Sequence, residues 1–143
     1  MVAMRQVVRT GGFEDVGGYS RAVRDGRLIS VSGTAPTGPD GSAVSPDLYE
    51  QTHHAFLIAL GAVEQLGGSV DGVMRTRIFL APDTDWRRAV EAHHDLFASV
   101  TPANTTLFVA GFIPPGVLVE VEVDAVVAEE IGTDGRTSPQ PPR

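Results

Sequence analysis

The stretch TPANTTLFVAGFIPPGVLVEVEVDA, residues 101–125, ends in a strict alternation of apolar and acidic side chains. Positions 117, 119, 121 and 123 are all valine, whereas Glu120, Glu122 and Asp124 fall between them. Because successive side chains of a strand point to opposite faces, the pattern predicts a strand whose valine face packs on a core. The acidic face is either a solvated surface or a surface used by a partner or a site, and the pattern leaves both open.

Working outward from this strand, apolar periodicity and turn residues predict the element order β-β-β-α-β-α-β-β. The Asp25-Gly26 pair predicts a hairpin turn, and the glycine-rich residues 11–18 are expected to form a loop. The predicted strands cover residues 5–10, 19–25, 27–33, 73–81, 105–112 and 117–128.

Two helices are predicted between these strands. The first has Ser45 as N-cap and Pro46 in its first turn, and it ends at the Gly67-Gly68 pair. The second is capped by Asp83 or Thr84 and presents an apolar stripe that includes Val90 and His93. Two helices on one face of a mixed sheet define an α+β fold. Residues 1–131 are expected to form a single domain and residues 132–143 a flexible C-terminal tail, because the latter lack an apolar pattern.

Composition excludes several kinds of chemistry. The chain has 143 residues, no cysteine and no lysine, so thiol nucleophiles, thiolate metal sites and Schiff-base lysines are ruled out. The formal net charge of −7 disfavours nucleic-acid binding. No apolar run approaches the length of a membrane span, and no signal peptide is recognised. We therefore expect a cytoplasmic protein without membrane association.

Few side-chain patterns in the sequence suggest catalysis. The histidine pairs at 53–54 and 93–94 are adjacent on helices, so neither pair can chelate a metal, and surface or packed histidines are expected. No serine lies in a nucleophile-elbow motif. Tyr19 and Arg21 are predicted to share a strand face, where they could meet a small anionic ligand or could simply be a cross-strand aromatic and a solvated charge.

Four segments together resemble the RidA/YjgF family of reactive-intermediate (enamine/imine) deaminases, long labelled "endoribonuclease L-PSP". They are GGYSRAVRDGRLISVSGTAP (17–36), YEQTHHAFLIALGAVEQLGG (49–68), VMRTRIFLAPDTDW (73–86) and TPANTTLFVAGFIPPGVLVEVEVDAVV (101–127). The resemblance implies a chorismate-mutase-like (bacillus-type) α+β protomer. It also implies a homotrimer with a small-molecule cleft between each pair of subunits. No metal or organic cofactor is implied.

The resemblance also implies roles for individual residues. Glu120 matches the family's acidic residue, proposed to hold or activate the hydrolytic water. Tyr19, Ser32 and Gly33 match ligand-binding positions, and Arg21 is a further candidate anchor. The family's deaminases carry an arginine that binds the substrate carboxylate, and here that position is Asn104.

Two further departures accompany this substitution. The family's cysteine two positions further on is Thr106, and a polar cleft position is Val90. The chain thus resembles an arginine-less branch of the family, whose cleft should prefer a less anionic or more apolar ligand than 2-aminoacrylate.

Three functions remain open at this point. The first is a trimeric enzyme that hydrolyses or tautomerises a small imine, enamine or related labile carbonyl compound. The second is a non-catalytic trimer that binds a small ligand as a sensor or metabolic accessory. The third, disfavoured by the acidic charge and the lack of lysine, is an endoribonuclease.

Overall fold

The computed structural model describes residues 5–129, so the predicted tail at 132–143 lies outside the described residues. One six-stranded sheet organises the chain, in the order β1-β2-β3-β6-β4-β5. Its strands are β1 (Gln6–Val8), β2 (Ala22–Asp25), β3 (Leu28–Thr34), β4 (Val73–Leu80), β5 (Ala103–Phe108) and β6 (Val119–Val126). The helices are α1 (Phe13–Gly17), α2 (Leu48–Gln65) and α3 (Trp86–Phe97), with a 3-10 turn at Val70–Gly72.

The valine face of β6 forms the centre of the core, as predicted. Val119, Val121 and Val123 are fully buried, whereas the acidic residues between them are half-buried. The long helices α2 and α3 pack together and contribute Phe56 and Phe97, whose rings meet edge to face with centroids 5.1 Å apart. The expected α+β architecture, with two long helices and a mixed sheet, is confirmed.

The strand pairing of β6 fixes the rest of the sheet. It pairs antiparallel with both β3 and β4, and β4 pairs in parallel with the edge strand β5. The β3–β6 pairing shifts register between Val31 and Thr34, so Ser32 and Gly33 lie in a bulge beside β6. Bulges of this kind redirect side chains and backbone locally.

Both helix caps differ from the prediction. Asp47, not Ser45, caps α2, and its carboxylate accepts from the Glu50 amide at 2.9 Å. Asp85, not Asp83 or Thr84, caps α3 by accepting from the Arg87 amide at 3.2 Å. Several side chains near each helix start could cap it, and only the path of the incoming loop selects one.

The glycine-rich segment 11–18 is not the loop that was predicted, because Phe13–Gly17 forms the short helix α1. Glu14 in this helix is only 3% exposed. Its carboxylate accepts from the backbone amides of Thr10 at 3.0 Å and Arg21 at 3.1 Å. Burial opposes ionisation, but these hydrogen bonds and the nearby Arg21 charge together keep the pKa of Glu14 below its ordinary value.

Some strand ends also differ from the prediction. β2 begins at Ala22 rather than residue 19, so Tyr19 and Arg21 precede the strand instead of sharing its face. β5 runs over Ala103–Phe108 and ends earlier than expected.

Gln51 joins α2 to the loop before β6. Its side chain is fully buried, and its amide nitrogen donates to the carbonyl oxygens of Ser45 at 2.7 Å and Gly116 at 2.9 Å. Its amide oxygen accepts from the Leu118 amide at 2.8 Å. The start of β6 is therefore tied to the start of α2 by one side chain.

We predict that Gln51→Leu lowers the free energy of unfolding by about 2–4 kcal/mol, because it strands buried backbone groups without partners. The measurement is urea unfolding at a fixed protein concentration. Gln65→Leu, at an exposed position on the same helix, is the matched control and should change stability by less than about 0.5 kcal/mol. Equal effects of the two substitutions would contradict the role of Gln51.

Candidate functional site

Glu120 lies at an apolar cavity of about 320 Å³, called here the Glu120 cavity. The alternation of side chains in β6 turns the Glu120 carboxyl group away from the valine face. In the sheet, Glu120 is paired with Phe79 of β4. The other residues that line the cavity are Phe13, Val16, Gly17, Tyr19, Ile113 and Pro114. Val16 and Ile113 are each 90% exposed. A carboxyl group and a phenol thus sit among apolar side chains that are open to a ligand.

The surroundings of Glu120 raise the pKa of its carboxyl group above the ordinary value. Burial raises the pKa of this carboxyl group, the nearby Arg21 charge opposes the rise, and the like charge of Glu122 adds to it. The net direction is upward. A carboxyl group whose pKa moves toward neutrality is better suited to both accept and return a proton.

Arg21 and Gly33 lie near Glu120. The Arg21 Nη2 donates to the Gly33 carbonyl oxygen at 2.5 Å, and its buried Nε has no hydrogen-bond partner among residues 5–129. A Cβ atom at Gly33 would lie 3.4 Å from the Glu120 Oε2, so the backbone passes close to the carboxyl group here. Ser32 is close in sequence, but its hydroxyl donates to the Ser20 carbonyl oxygen at 2.7 Å.

The other two acids of the β6 face have a different environment. Arg77 lies between them, with its Nη1 3.2 Å from the Glu122 carboxylate and 3.3 Å from that of Asp124. Asp124 also accepts from the Ser30 hydroxyl at 2.8 Å. Within the described part of the chain, Glu120 forms no such ion pair, which separates it from its neighbours.

Asn104 and Thr106 line a second cavity of about 410 Å³, called here the Trp86 cavity. It lies between α3 and the edge strand β5, and its other lining residues are Leu80, Trp86, Val90, Leu107 and Phe108. Val90 thus lies in the same cavity as Asn104 and Thr106.

The two cavities lie on opposite faces of the sheet. Asn104 pairs with Thr76, which pairs with Val123, and directly paired side chains share a face. Val123 faces the helices, so Asn104 does too, whereas Glu120 faces away. One chain therefore does not bring Asn104 and Thr106 together with Glu120, Tyr19 and Arg21.

A chain of hydrogen bonds connects the Trp86 cavity to α3. The Thr106 hydroxyl donates to the Asn104 Oδ1 at 2.8 Å, and the Asn104 Nδ2 donates to the Thr76 Oγ1 at 3.0 Å. The Thr76 Oγ1 lies 2.7 Å from the His93 Nε2. Sequence reasoning placed His93 only as a surface or packed residue and did not identify Thr76. Thr76 and His93 come together only because α3 packs over β4, and this packing has no signature in the sequence near either residue.

Together these features define an α+β protein of chorismate-mutase-like fold with a carboxylate-containing cavity and a separate amide-containing one. Residues 12–127 match the family described as "Endoribonuclease L-PSP", and the chain belongs to this family, also called YjgF/RidA or RutC. The resemblance inferred from the sequence motifs is therefore confirmed at the level of the family. In the described residues, no helix is long and apolar enough to cross a membrane.

Three similar proteins illustrate the range of the family. An uncharacterized protein of Streptomyces coelicolor is 41% identical over 86% of this chain and 92% of its own length. The crystal structure of a member of the YjgF/YER057c/UK114 family from Mycobacterium tuberculosis is 38% identical, covers 86% of this chain and 99% of that one, and has a TM-score of 0.77. The chloroplastic Reactive Intermediate Deaminase A of Arabidopsis thaliana is 27% identical over 78% of this chain and 60% of its own.

We predict that Arg21→Gln raises the pKa of Glu120 further, because it removes the positive charge that now opposes the effect of burial. The measurement is a carbon-13 NMR titration of the Glu120 carboxyl group. Arg24→Gln is the control, since Arg24 bonds the Gly26 and Leu66 carbonyl oxygens and is not among the charges that act on Glu120. An unchanged titration in Arg21→Gln would show that the Arg21 charge does not reach the carboxyl group.

Proposed function

We propose that this protein is a homotrimeric, cytoplasmic enzyme that hydrolyses a small imine or enamine with an apolar substituent. The observation that carries the proposal is the Glu120 carboxyl group, half-buried in an apolar cavity with a raised pKa and no ion-pair partner among residues 5–129. Membership of a family that includes a protein named Reactive Intermediate Deaminase A supports the reaction class.

In the proposed hydrolysis, the Glu120 carboxyl group both accepts and donates protons. In its ionised form, Glu120 takes a proton from water as the water oxygen adds to the imine carbon and the C=N electron pair moves to the nitrogen. The protonated carboxyl group returns this proton to the nitrogen, which gives a neutral carbinolamine. Glu120 then takes the hydroxyl proton of the carbinolamine and passes it to the nitrogen as the C–N bond breaks, and a carbonyl compound and ammonia leave. An enamine must first be protonated at carbon, which gives the protonated form of the imine, and loss of an N–H proton then gives the same imine. The upward shift in the pKa of Glu120 favours these proton transfers.

A complete cleft requires a second copy of the chain in this proposal. Within one chain, the Glu120 and Trp86 cavities open on opposite faces of the sheet. A cyclic trimer with head-to-tail contacts between protomers would place the Glu120 cavity of one protomer against the Trp86 cavity of the next. The combined cleft would be lined by Phe13, Val16 and Ile113 from one side and by Trp86 and Phe108 from the other.

Asn104 makes this chain a member of an arginine-less branch in our proposal. Asparagine is uncharged and cannot replace a bidentate guanidinium–carboxylate contact. Loss of such a contact costs a factor of order 10² in productive binding. The apolar lining of both cavities favours a substrate whose substituent is uncharged and bulky, and disfavours 2-aminoacrylate.

A ligand-binding protein without catalysis is the second candidate. The observation in its favour is that polar atoms of Ser32, Asn104 and Thr106 are engaged by hydrogen bonds within the chain. Detectable binding of an imine without its turnover would support this candidate. The endoribonuclease label of the family has no comparable support here, since the net charge is −7 and opposes binding of a phosphate backbone.

We predict that Glu120→Gln lowers kcat/KM for the best imine in a panel of uncharged, bulky imines by about 10²–10⁴-fold, because the amide cannot transfer the proton. Asp124→Asn is the control, because it changes an acid on the same face that is already paired with Arg77. Wild-type activity in Glu120→Gln would remove Glu120 from the mechanism.

For 2-aminoacrylate we predict slow turnover by the wild-type protein and a gain in Asn104→Arg, which restores a carboxylate-binding charge. A coupled assay with freshly generated 2-aminoacrylate measures both. Efficient turnover by the wild type would contradict the proposed consequence of Asn104.

Mixing subunits tests the shared cleft. We expect Glu120→Gln and Thr106→Trp each to be inactive, because they damage different halves of the cleft. Randomly mixed trimers of the two variants should regain roughly a quarter of the wild-type sites, if each cleft is built by two neighbouring protomers of a cyclic trimer. No recovery in mixed trimers of confirmed stoichiometry would show that both halves come from one protomer.

A further inference from the structure

We infer that His93 is a positioning residue that, through Thr76 and Asn104, sets whether the Thr106 hydroxyl offers a hydrogen-bond acceptor or a donor to the Trp86 cavity. The basis is the unbroken series of hydrogen bonds from Thr106 through Asn104 and Thr76 to His93. The series itself does not depend on the proposed imine chemistry. Only the identity of the ligand group in the cavity rests on that proposed function.

The direction of the series follows from the proton on each hydroxyl. The Thr76 side chain is fully buried, and its Oγ1 already accepts from the Asn104 Nδ2. Its own proton needs an acceptor, and the His93 Nε2 is 2.7 Å away. A threonine hydroxyl has one proton to give, so this arrangement requires a neutral His93 with its proton on Nδ1. Each hydrogen bond is then donated toward His93: Thr106 donates to Asn104, Asn104 to Thr76, and Thr76 to His93.

In this state Thr106 presents only lone pairs to the cavity, because its proton is held by the Asn104 Oδ1. The Trp86 cavity therefore accepts a ligand group that donates a hydrogen bond, such as an amide N–H, an amine or a hydroxyl. A carboxylate or a ketone has no proton to give to Thr106 and is disfavoured.

Protonation of His93 reverses every bond of the series. The Nε2 then carries a proton and donates to the Thr76 Oγ1, so the Thr76 hydroxyl must donate to Asn104. Rotation of the Asn104 amide by 180° supplies the oxygen that Thr76 needs and turns the NH₂ group toward Thr106. Thr106 now accepts from Asn104, and its own proton is free to enter the cavity.

The surroundings of His93 keep its ring neutral at neutral pH, so the state in which Thr106, Asn104 and Thr76 each donate toward His93 is the dominant one. Burial lowers the pKa of His93, and the positive charge of the adjacent His94 lowers it further. The elements packed against the ring present uncharged groups, namely Phe56 of α2 at 5.5 Å between centroids, Phe97 of its own helix at 4.7 Å, and Thr76 of β4. The reversal is therefore expected only below the ordinary histidine range of about 6.5.

The first test is nitrogen-15 NMR of the full-length wild-type protein between pH 8 and pH 5. At pH 8 the His93 Nε2 should show the shift of an unprotonated nitrogen and the Nδ1 that of a protonated one. As His93 titrates, the side-chain amide signals of Asn104 should move with the same midpoint. A proton on Nε2 at pH 8, or an Asn104 amide that ignores the His93 titration, would overturn the inference.

A matched pair of variants tests whether the titrations of His93 and Asn104 are coupled through the Thr76 hydroxyl, called here the relay, or only because the two side chains are near each other. Thr76→Ser keeps the hydroxyl and should keep the joint titration of His93 and Asn104, whereas Thr76→Val removes the hydroxyl and should abolish it. If both variants titrate alike, coupling does not pass through Thr76. The wild-type titration alone decides the inference if Thr76→Val fails to fold.

The second test uses benzamide and acetophenone as probes, because they differ by an NH₂ donor in place of a methyl group and neither is charged. At pH 8, benzamide should bind the Trp86 cavity about fivefold or more tightly, the value of one hydrogen bond near 1 kcal/mol. Thr106→Ser should keep this preference and Thr106→Val should lose it. Equal binding of the two probes, or no perturbation of the Trp86 signals by either, would overturn the assignment of an acceptor in this cavity.

Turnover plays no part in these readouts. A protein that hydrolyses no imine but shows the joint titration retains the relay and loses only the proposed reaction. A protein that hydrolyses imines but shows no joint titration retains the reaction and loses the relay.

Discussion

The structure depends on the alternation of side chains along the central strand β6. Its valines fill the core under α2 and α3, and burial of each contributes about 1.5–3 kcal/mol relative to exposure. A slip of one residue would expose all of these valines and bury three carboxyl groups instead, which is far more costly. The register of β6 is therefore fixed, and through its pairing with β4 it fixes the faces of β5 as well. The separation of Glu120 from Asn104 follows from this one constraint.

The sequence predicted those features that are local or periodic. The two faces of β6 were readable because an alternation of period two has only one structural meaning over eight residues. The hairpin between β2 and β3 and the two long helices were also predicted, because turn residues and helical periodicity act within a few positions. The turn lies one residue later than predicted, at Gly26-Arg27. The family motifs identified Glu120, Tyr19 and Gly33. In the structure, Tyr19 lines the same cavity as Glu120, and Gly33 lies near the Glu120 carboxyl group.

The features that the sequence did not reveal all depend on partners far along the chain or on the exact path of a loop. Glu14 was assigned to a loop, yet it is buried because Thr10 and Arg21 satisfy its carboxylate. Gln51 sits in an apolar stripe, and only the return of the chain at Gly116 and Leu118 gives its amide partners. Such pairings compete with many alternatives in the unfolded chain, and single-residue propensities carry no information about them.

Asparagine at position 104 has a hydrogen-bonding capacity that arginine lacks. Arginine donates hydrogen bonds but accepts none, so it would end any series of hydrogen bonds that reached it from a neighbouring hydroxyl. An amide has both a carbonyl oxygen and an NH₂ group, and Asn104 uses the first for Thr106 and the second for Thr76. Threonine at 106 and at 76 and histidine at 93 have matching capacities, since each can accept as well as donate. The four side chains thus form a consistent set in which the direction of one bond determines the direction of the next, and a charged side chain at position 104 is incompatible with that set.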